Sequence, residues 1–522
     1  MNSLVVLIPV LPFIAAIIIG IGQLIGLLRG ETSESTTAFI ALWATSMSCL
    51  LAFTLLGTDL LHKNASSFLL GQWLSSETLS IDISFMTHGF SLVLAALFSL
   101  LLVIILRFSI NYMHREIGFH RFFFVLSLFS SAMLLLILSG NAVGTFFGWK
   151  IAGLCSYLLI LYVYNRPVAA INATRVFVTN RIGDASFILG ISLSYAWTET
   201  TNWLNLRTAA EHLSTGEATG IAISFAIAAF AKSAQLPFTP WLARAIEGST
   251  PSSTVFYGAV MIHAGVYLVC LLEPIFEKAP LAMALLVIIG GLTALYSYLV
   301  GLTQTDVKSC LAFAMSGQLG LLFIECGLGF WQFAKWHLCA HAIIRTYSFL
   351  TAPSLMHNVY ENPIKPVSPV IAKQRWAYTA SLQRFWLDQL TDWTLIRPIR
   401  RLAQDLSYFD DHVIDHLAGI PKPAINSISS LAELEERLIS ASLDNDNPSP
   451  SFSYSNGLIG KITETFASIT HGFEDRVVLG GLGKGTINIG RKLGQSANKF
   501  ELLVLRPRYL VLFVCITLSL AF

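Results

Sequence analysis

Charge is what this sequence has least of. Only 12% of its 522 residues are Asp, Glu, Lys or Arg, against about a quarter in soluble domains, which excludes a chain folded mainly in water. The two signs nearly cancel, leaving a formal +2, so nothing draws the chain toward nucleic acid. No C-x-x-C pair occurs. The seven cysteines, Cys49, Cys155, Cys270, Cys310, Cys326, Cys339 and Cys515, stand singly in apolar stretches, which reads as small core residues and not as a metal or redox centre. A phosphate-binding loop is also missing. GGLGKGT at 480–486 has Gly485 where Ser or Thr should follow the lysine, and no strand precedes it. Without a nucleotide loop, cofactor motif or nucleophile constellation, we expect no cofactor, no metal and no catalytic centre within the chain.

What is present is apolar. Hydrophobic residues make up 54%, mean hydropathy is +0.65, and a membrane span needs about 20 mostly apolar residues. Candidate spans follow one another at 3–24, 37–57, 87–110, 121–139, 142–163, 176–197, 220–246, 253–276, 281–302, 308–329 and 331–352, with a final one near 503–522 interrupted by Arg506 and Arg508. The fold class is an all-α polytopic membrane protein, and the expected location is a bacterial inner membrane. The first run is longer than a removable signal peptide and lacks its basic start, so it is expected to persist as a helix.

Composition changes near residue 355, where Pro363, Pro366 and Pro369 break the chain and charges become frequent. The expected division is a transmembrane domain at 1–352, an amphipathic region at 353–500 and a membrane anchor at 501–522. Within the second, 381–407 sets Trp386, Leu390, Trp393 and Ile396 at helical spacing beside Arg397, Arg400 and Arg401, the pattern of a helix lying at the membrane interface. Pro398 should bend or divide it. Segment 443–455 reads as a linker, and a further amphipathic stretch occupies 458–500.

Ionisable residues nevertheless occur inside the spans, where each costs about 3 kcal/mol on insertion scales and must face protein or water. Lys150 lies well inside one. Arg181 and Asp184, three apart, share a helix face and can pair. Lys232 follows twelve largely apolar residues and precedes Pro237 and Pro240, and two prolines in one span break the helix as transporters do around ion sites. A lysine kept from water there gives up its proton more readily and can load and release it; pairing with Glu247 or Asp184 is the plainer alternative. His263 lies in another span. His337 and His341 are four apart, with Arg345 one turn further, so all three share a face. Histidine titrates near neutrality and suits a proton relay, with a structural contact or a metal pair as alternatives. Asp306 and Lys308 stand at a helix start, where capping and conduction are equally open.

These residues lie in GWKIAGLCSYLLI (148–160), NRIGDASFILG (180–190), AKSAQLPFTPWLARAIEGSTP (231–251), QTDVKSCLAFAMSGQLG (304–320) and HLCAHAIIRTYSFL (337–350). In that order they resemble the antiporter-like family: the large proton-pumping subunits of respiratory complex I, the large subunits of Mrp-type antiporters and the membrane subunit of DAB-type inorganic-carbon pumps. The stretch 386–419 resembles the approach to the lateral helix of the distal complex I subunit. The resemblance implies inverted helical repeats, each with a broken helix, and a polar mid-membrane axis that moves protons. Lys232 matches the broken-helix lysine, Arg181 and Asp184 match their positions, and His337 and His341 match the histidine pair.

The chain also departs from that family. Lys150 stands where a glutamate pairs with the lysine, so two lysines would face one another. Tyr257 stands in place of a histidine, with His263 additional, and Arg345 replaces a lysine. The second broken helix is expected to be missing, so the second repeat is truncated. Three readings follow. The first is a proton- or cation-translocating subunit of a larger complex, possible in an NADH:quinone oxidoreductase-type assembly, with other membrane subunits as partners. The second is the membrane half of an inorganic-carbon pump with a soluble zinc-bearing partner, and the third a non-conducting structural subunit.

Overall fold

The computed structural model describes residues 2–62, 67–75, 80–304, 306–352 and 373–410. The linker at 443–455, the glycine-rich stretch at 480–486, the amphipathic 458–500 and the apolar run at 503–522 lie outside them. Contacts divide the chain into two units, 1–397 and 398–522. The first begins with α1 (Leu7–Leu24), α2 (Glu34–His62), α3 (Gly89–Tyr112), α4 (Phe119–Leu138), α5 (Ala142–Ile160) and α6 (Pro167–Thr198). A short α7 (Trp203–Ala209) follows, then α8 (Thr215–Lys232), α9 (Pro240–Arg244), α10 (Thr250–Ser253), α11 (Ala264–Leu271) and α12 (Glu273–Glu277). Three long helices follow: α13 (Pro280–Gly301), α14 (Val307–Gly327) and α15 (Trp331–Leu350).

Among the described residues nine helical segments are long and apolar enough to cross a membrane, and the chain is an integral multi-pass membrane protein. The long helices outside those nine, α8 and α15, carry Lys232 and the His337/His341/Arg345 face. These side chains, with Glu217 in α8 and Gln332 and Lys335 in α15, make the two helices less apolar.

The helices approach closely through small residues, as bilayer-buried packing requires, since lipid supplies no hydrophobic drive between helices. A Cβ on Gly148 of α5 would lie 2.6 Å from both the Ala132 carbonyl oxygen and the Leu136 nitrogen of α4, and one on Gly290 of α13 would lie 2.5 Å from the Gly320 carbonyl oxygen of α14. Gly148→Val therefore forces α4 and α5 apart and is expected to cost about 1–3 kcal/mol, read as a lowered unfolding midpoint in detergent.

Two features escaped the helical reading. Between α2 and α3 lies an antiparallel hairpin, β1 (Ser67–Ser75) with β2 (Ser80–Met86), registered Ser67 to Met86 and Ser75 to Ser80. The nine apolar-rich residues of β1 are too few to span a bilayer as helix, and Ser84 of β2 accepts from the Gly140 nitrogen at 2.7 Å. The span expected at 253–276 is also discontinuous. A π turn at Thr254–Ala259 and a 3-10 turn at Met261–His263 separate α10 from α11. A π turn inserts a residue and rotates the register of everything after it, so helical spacing counted across it misplaces His263.

After the undescribed stretch, α16 (Arg375–Leu382) ends in a left-handed turn at Arg384, Phe385 and Trp386, and α17 (Leu387–Thr391) runs through a π turn into α18 (Arg397–Phe409). One interruption falls at 384–386, and a second, the π turn at Asp392–Ile396, adjoins Pro398. Asp388 pairs with Arg244 of α9 at 2.7 Å and Asp392 with Arg175 of α6, while Trp386, Leu390 and Trp393 stay exposed. These ion pairs, together with Phe385 and Leu387 packed against Tyr296, Val300 and Phe313, hold the segment on the transmembrane body, and Ile396 of the apolar stripe is buried.

Candidate functional site

The break in α8 is built locally. Ser214 caps the helix with a reciprocal Glu217 contact, which fixes its start. At the other end Ala234 has φ +50°, the Leu236–Pro237 bond is cis, and Pro240 opens α9. Carbonyls freed by the missing turn find side-chain donors: Trp241 Nε1 donates to the Ala231 oxygen at 2.8 Å, and Gln235 Nε2 to the Ser233 oxygen at 3.0 Å. Lys232 is the last helical residue before this elbow and is 1% exposed.

Around it lies the first cluster. Asp184, 4% exposed, accepts from three groups: Lys150 Nζ at 3.1 Å, Arg181 Nη2 at 2.9 Å and Trp149 Nε1 at 3.0 Å. Lys232 does not join them. Its ammonium donates to the Trp149 carbonyl at 3.2 Å and lies 4.8 Å from that indole's centroid, an arrangement favourable to a cation. No carboxylate lies within 4 Å of it among the described residues, and Glu247 pairs with Arg166 at 2.8 Å. Gly153 of α5 makes room for the convergence, since a Cβ there would lie 3.4 Å from Arg181 Nη2 and 3.7 Å from Lys232 Nζ. Lys150 and Lys232 are thus turned to different acceptors. Two cations, Lys150 and Arg181, share one carboxylate, and a third, Lys232, stands beside them.

The second cluster is histidine-based. His263 Nε2 and His341 Nδ1 are 2.8 Å apart, and Arg345 Nε donates to His341 Nε2 at 3.3 Å. His337 does not bond His341, the ring centroids being 6.1 Å apart; its Nδ1 meets Glu325 Oε1 of α14 at 2.7 Å. The two clusters adjoin. Ser233, next to Lys232, donates its hydroxyl to the carbonyl of Ile262, next to His263, at 2.6 Å.

Other expected residues stand apart. Asp306 caps α14 by accepting from the Ser309 nitrogen at 2.8 Å, while Lys308 in the same first turn is half-buried and belongs to neither cluster. Tyr257, within the π turn, donates to the Leu242 oxygen at 2.5 Å. Cys270 and Cys326, isolated in sequence, face each other with sulfurs 3.8 Å apart. Sequence reasoning missed Trp149, Ser233 and Glu325. Of these only Glu325 carried a signal, as an ionisable residue inside an expected span.

The chain as a whole has known relatives. Residues 139–366 match the family described as NADH:quinone oxidoreductase/Mrp antiporter, TM, and residues 73–123 match the N-terminus of chain 5 of NADH-ubiquinone oxidoreductase (complex I). NAD(P)H-quinone oxidoreductase subunit 5 from the chloroplast of Zygnema circumcarinatum is 32% identical over 74% of this chain and 55% of its own length. NAD(P)H-quinone oxidoreductase chain 5 of a Picosynechococcus species is 34% identical over 68% of this chain and 54% of its own. The chain therefore spans about half the length of these curated relatives. Among solved structures, a chain of the Mrp complex from a Dietzia species superposes with TM-score 0.60 at 18% identity, covering 99% of this chain and 62% of that one. A chain of the membrane-bound sulfane sulfur reductase, an archaeal respiratory membrane complex, gives 0.58 at 18% identity, covering 91% and 94%. At these identities the likeness is one of fold.

Proposed function

The chain belongs to the NADH:quinone oxidoreductase/Mrp antiporter transmembrane family, and from that premise we propose that it is a proton-translocating membrane subunit of a multi-subunit complex in a bacterial inner membrane. Protons pass between Lys232 and the His263–His341 pair, with Asp184 fixing the charge beside Lys232 and His337 with Glu325 standing at the far side of His341. Other membrane subunits complete the path that this chain begins.

One observation carries the reading. Lys232 is fully enclosed at the end of a broken helix, has no carboxylate within 4 Å among the described residues, and lies one residue from the Ser233–Ile262 hydrogen bond to the histidine cluster. A purely structural cation in a membrane interior would be paired, because unpaired burial costs several kcal/mol. A lysine held, among the described residues, by a carbonyl and a ring face can exist with or without its proton. The adjoining His263–His341 pair supplies ring nitrogens that can both accept and donate a proton.

His341→Leu tests it. Energised proton uptake into membrane vesicles should fall about tenfold or more while the complex still co-purifies intact. Undiminished uptake would instead place the chain among structural subunits.

A further inference from the structure

The relay described above uses His341 but gives Arg345 no part. Arginine cannot deprotonate in proteins and offers only donors, so it cannot pass a proton on. Its Nε nevertheless points at His341 Nε2 from 3.3 Å, and its Nη2 is held by the Ala314 carbonyl of α14 at 3.3 Å. A donor-only group in that position dictates what it faces: His341 Nε2 must accept and is therefore bare. A neutral imidazole with a bare Nε2 carries its proton on Nδ1. That nitrogen lies 2.8 Å from His263 Nε2, so His341 donates and His263 accepts, which leaves the His263 proton on its own Nδ1.

We propose that Arg345 is a positioning residue that fixes His341 in the Nδ1-protonated tautomer and so gives the His341–His263 hydrogen bond a single resting polarity, toward His263. The purpose assigned to this polarity rests on the relay reading above.

The chemistry balances proton by proton. For His341 to hand its Nδ1 proton to His263 Nε2 it must take another at Nε2, while His263 releases its own from Nδ1. Arg345 occupies the Nε2 side, and a proton arriving there would set donor against donor and cation against cation. Transfer therefore requires the guanidinium to withdraw. It can return only once Nε2 is bare again, which restores the resting polarity before the next proton. The other groups around His341 do not compete for Nε2 at rest: His263 takes Nδ1, and His337 is engaged by Glu325.

The test is solid-state ¹⁵N NMR of histidine-labelled full-length protein in lipid bilayers, where bare and protonated ring nitrogens resonate far apart. The His341 signals are assigned by their loss in His341→Gln. Wild type and Arg345→Lys, which keeps a donor-only cation, should show His341 protonated on Nδ1. Arg345→Met should show a shift toward the Nε2 tautomer or a mixture of both. A wild-type His341 protonated on Nε2 overturns the proposal even if Arg345→Met does not fold, and so does an unchanged tautomer in a folded Arg345→Met. Undiminished transport in His341→Leu would instead remove the relay reading and leave the tautomer assignment standing.

Discussion

Asp184→Ala is expected to leave the protein scarcely able to accumulate in the membrane. The carboxylate is buried and is the shared acceptor of Lys150, Arg181 and the Trp149 indole. Removing it strands two partly buried cations beside a third, Lys232, with no other carboxylate paired to them among the described residues. Breaking a buried pair costs about 3–5 kcal/mol. Because Lys150 and Arg181 are each about a third exposed, the expected loss lies near the lower end of that range, still a large part of the stability of a folded domain. Asp184→Asn keeps an acceptor for the indole and should fall between alanine and wild type. Introducing Lys150→Glu into the Asp184→Asn protein removes one cation and supplies a carboxylate in the same cluster, so it should recover much of the loss. The readouts are the amount of protein in the membrane and its unfolding midpoint in detergent. Full accumulation of Asp184→Ala would mean that the cluster is not held by this carboxylate.

Lys232 is expected to behave in the opposite sense. Lys232→Met keeps the length and apolar stem of the side chain while removing a buried charge that, among the described residues, no carboxylate within 4 Å compensates. Taking out a poorly compensated charge is neutral or stabilising, so the unfolding midpoint should hold or rise. Proton transport should fall by about 100-fold or more, and by a similar factor in Lys232→Ala. A structural lysine predicts the reverse: lower stability with transport lost only in proportion to the protein that fails to assemble.

The fold was legible in sequence because the bilayer demands long apolar runs, and runs of that length have few other uses. The elbow after Lys232 was legible for the same kind of reason, since Pro237 and Pro240 remove donors that an unbroken span would need. The pairing of side chains was not legible. Sequence spacing placed His337 with His341 on one face of α15, which is so, but His341 takes its partner from another segment, and the π turn before His263 hides that meeting from any count of helical positions. Likewise two lysines at 150 and 232 suggested direct repulsion, whereas Lys150 turns to Asp184 and Lys232 to the Trp149 carbonyl. In the segment after residue 373, the apolar spacing of Trp386, Leu390 and Trp393 was plain in sequence. What that spacing did not show is the pairing of Asp388 and Asp392 with arginines more than 140 residues away, or the packing of Phe385 and Leu387 against Tyr296, Val300 and Phe313.

The most direct measurement is proton uptake by proteoliposomes containing the assembled complex, wild type beside Lys232→Met, at equal subunit content and with the driving reaction monitored in the same sample. The proposed path predicts that the driving reaction continues or slows while uptake through this subunit disappears. Uptake by Lys232→Met at the wild-type rate would contradict it.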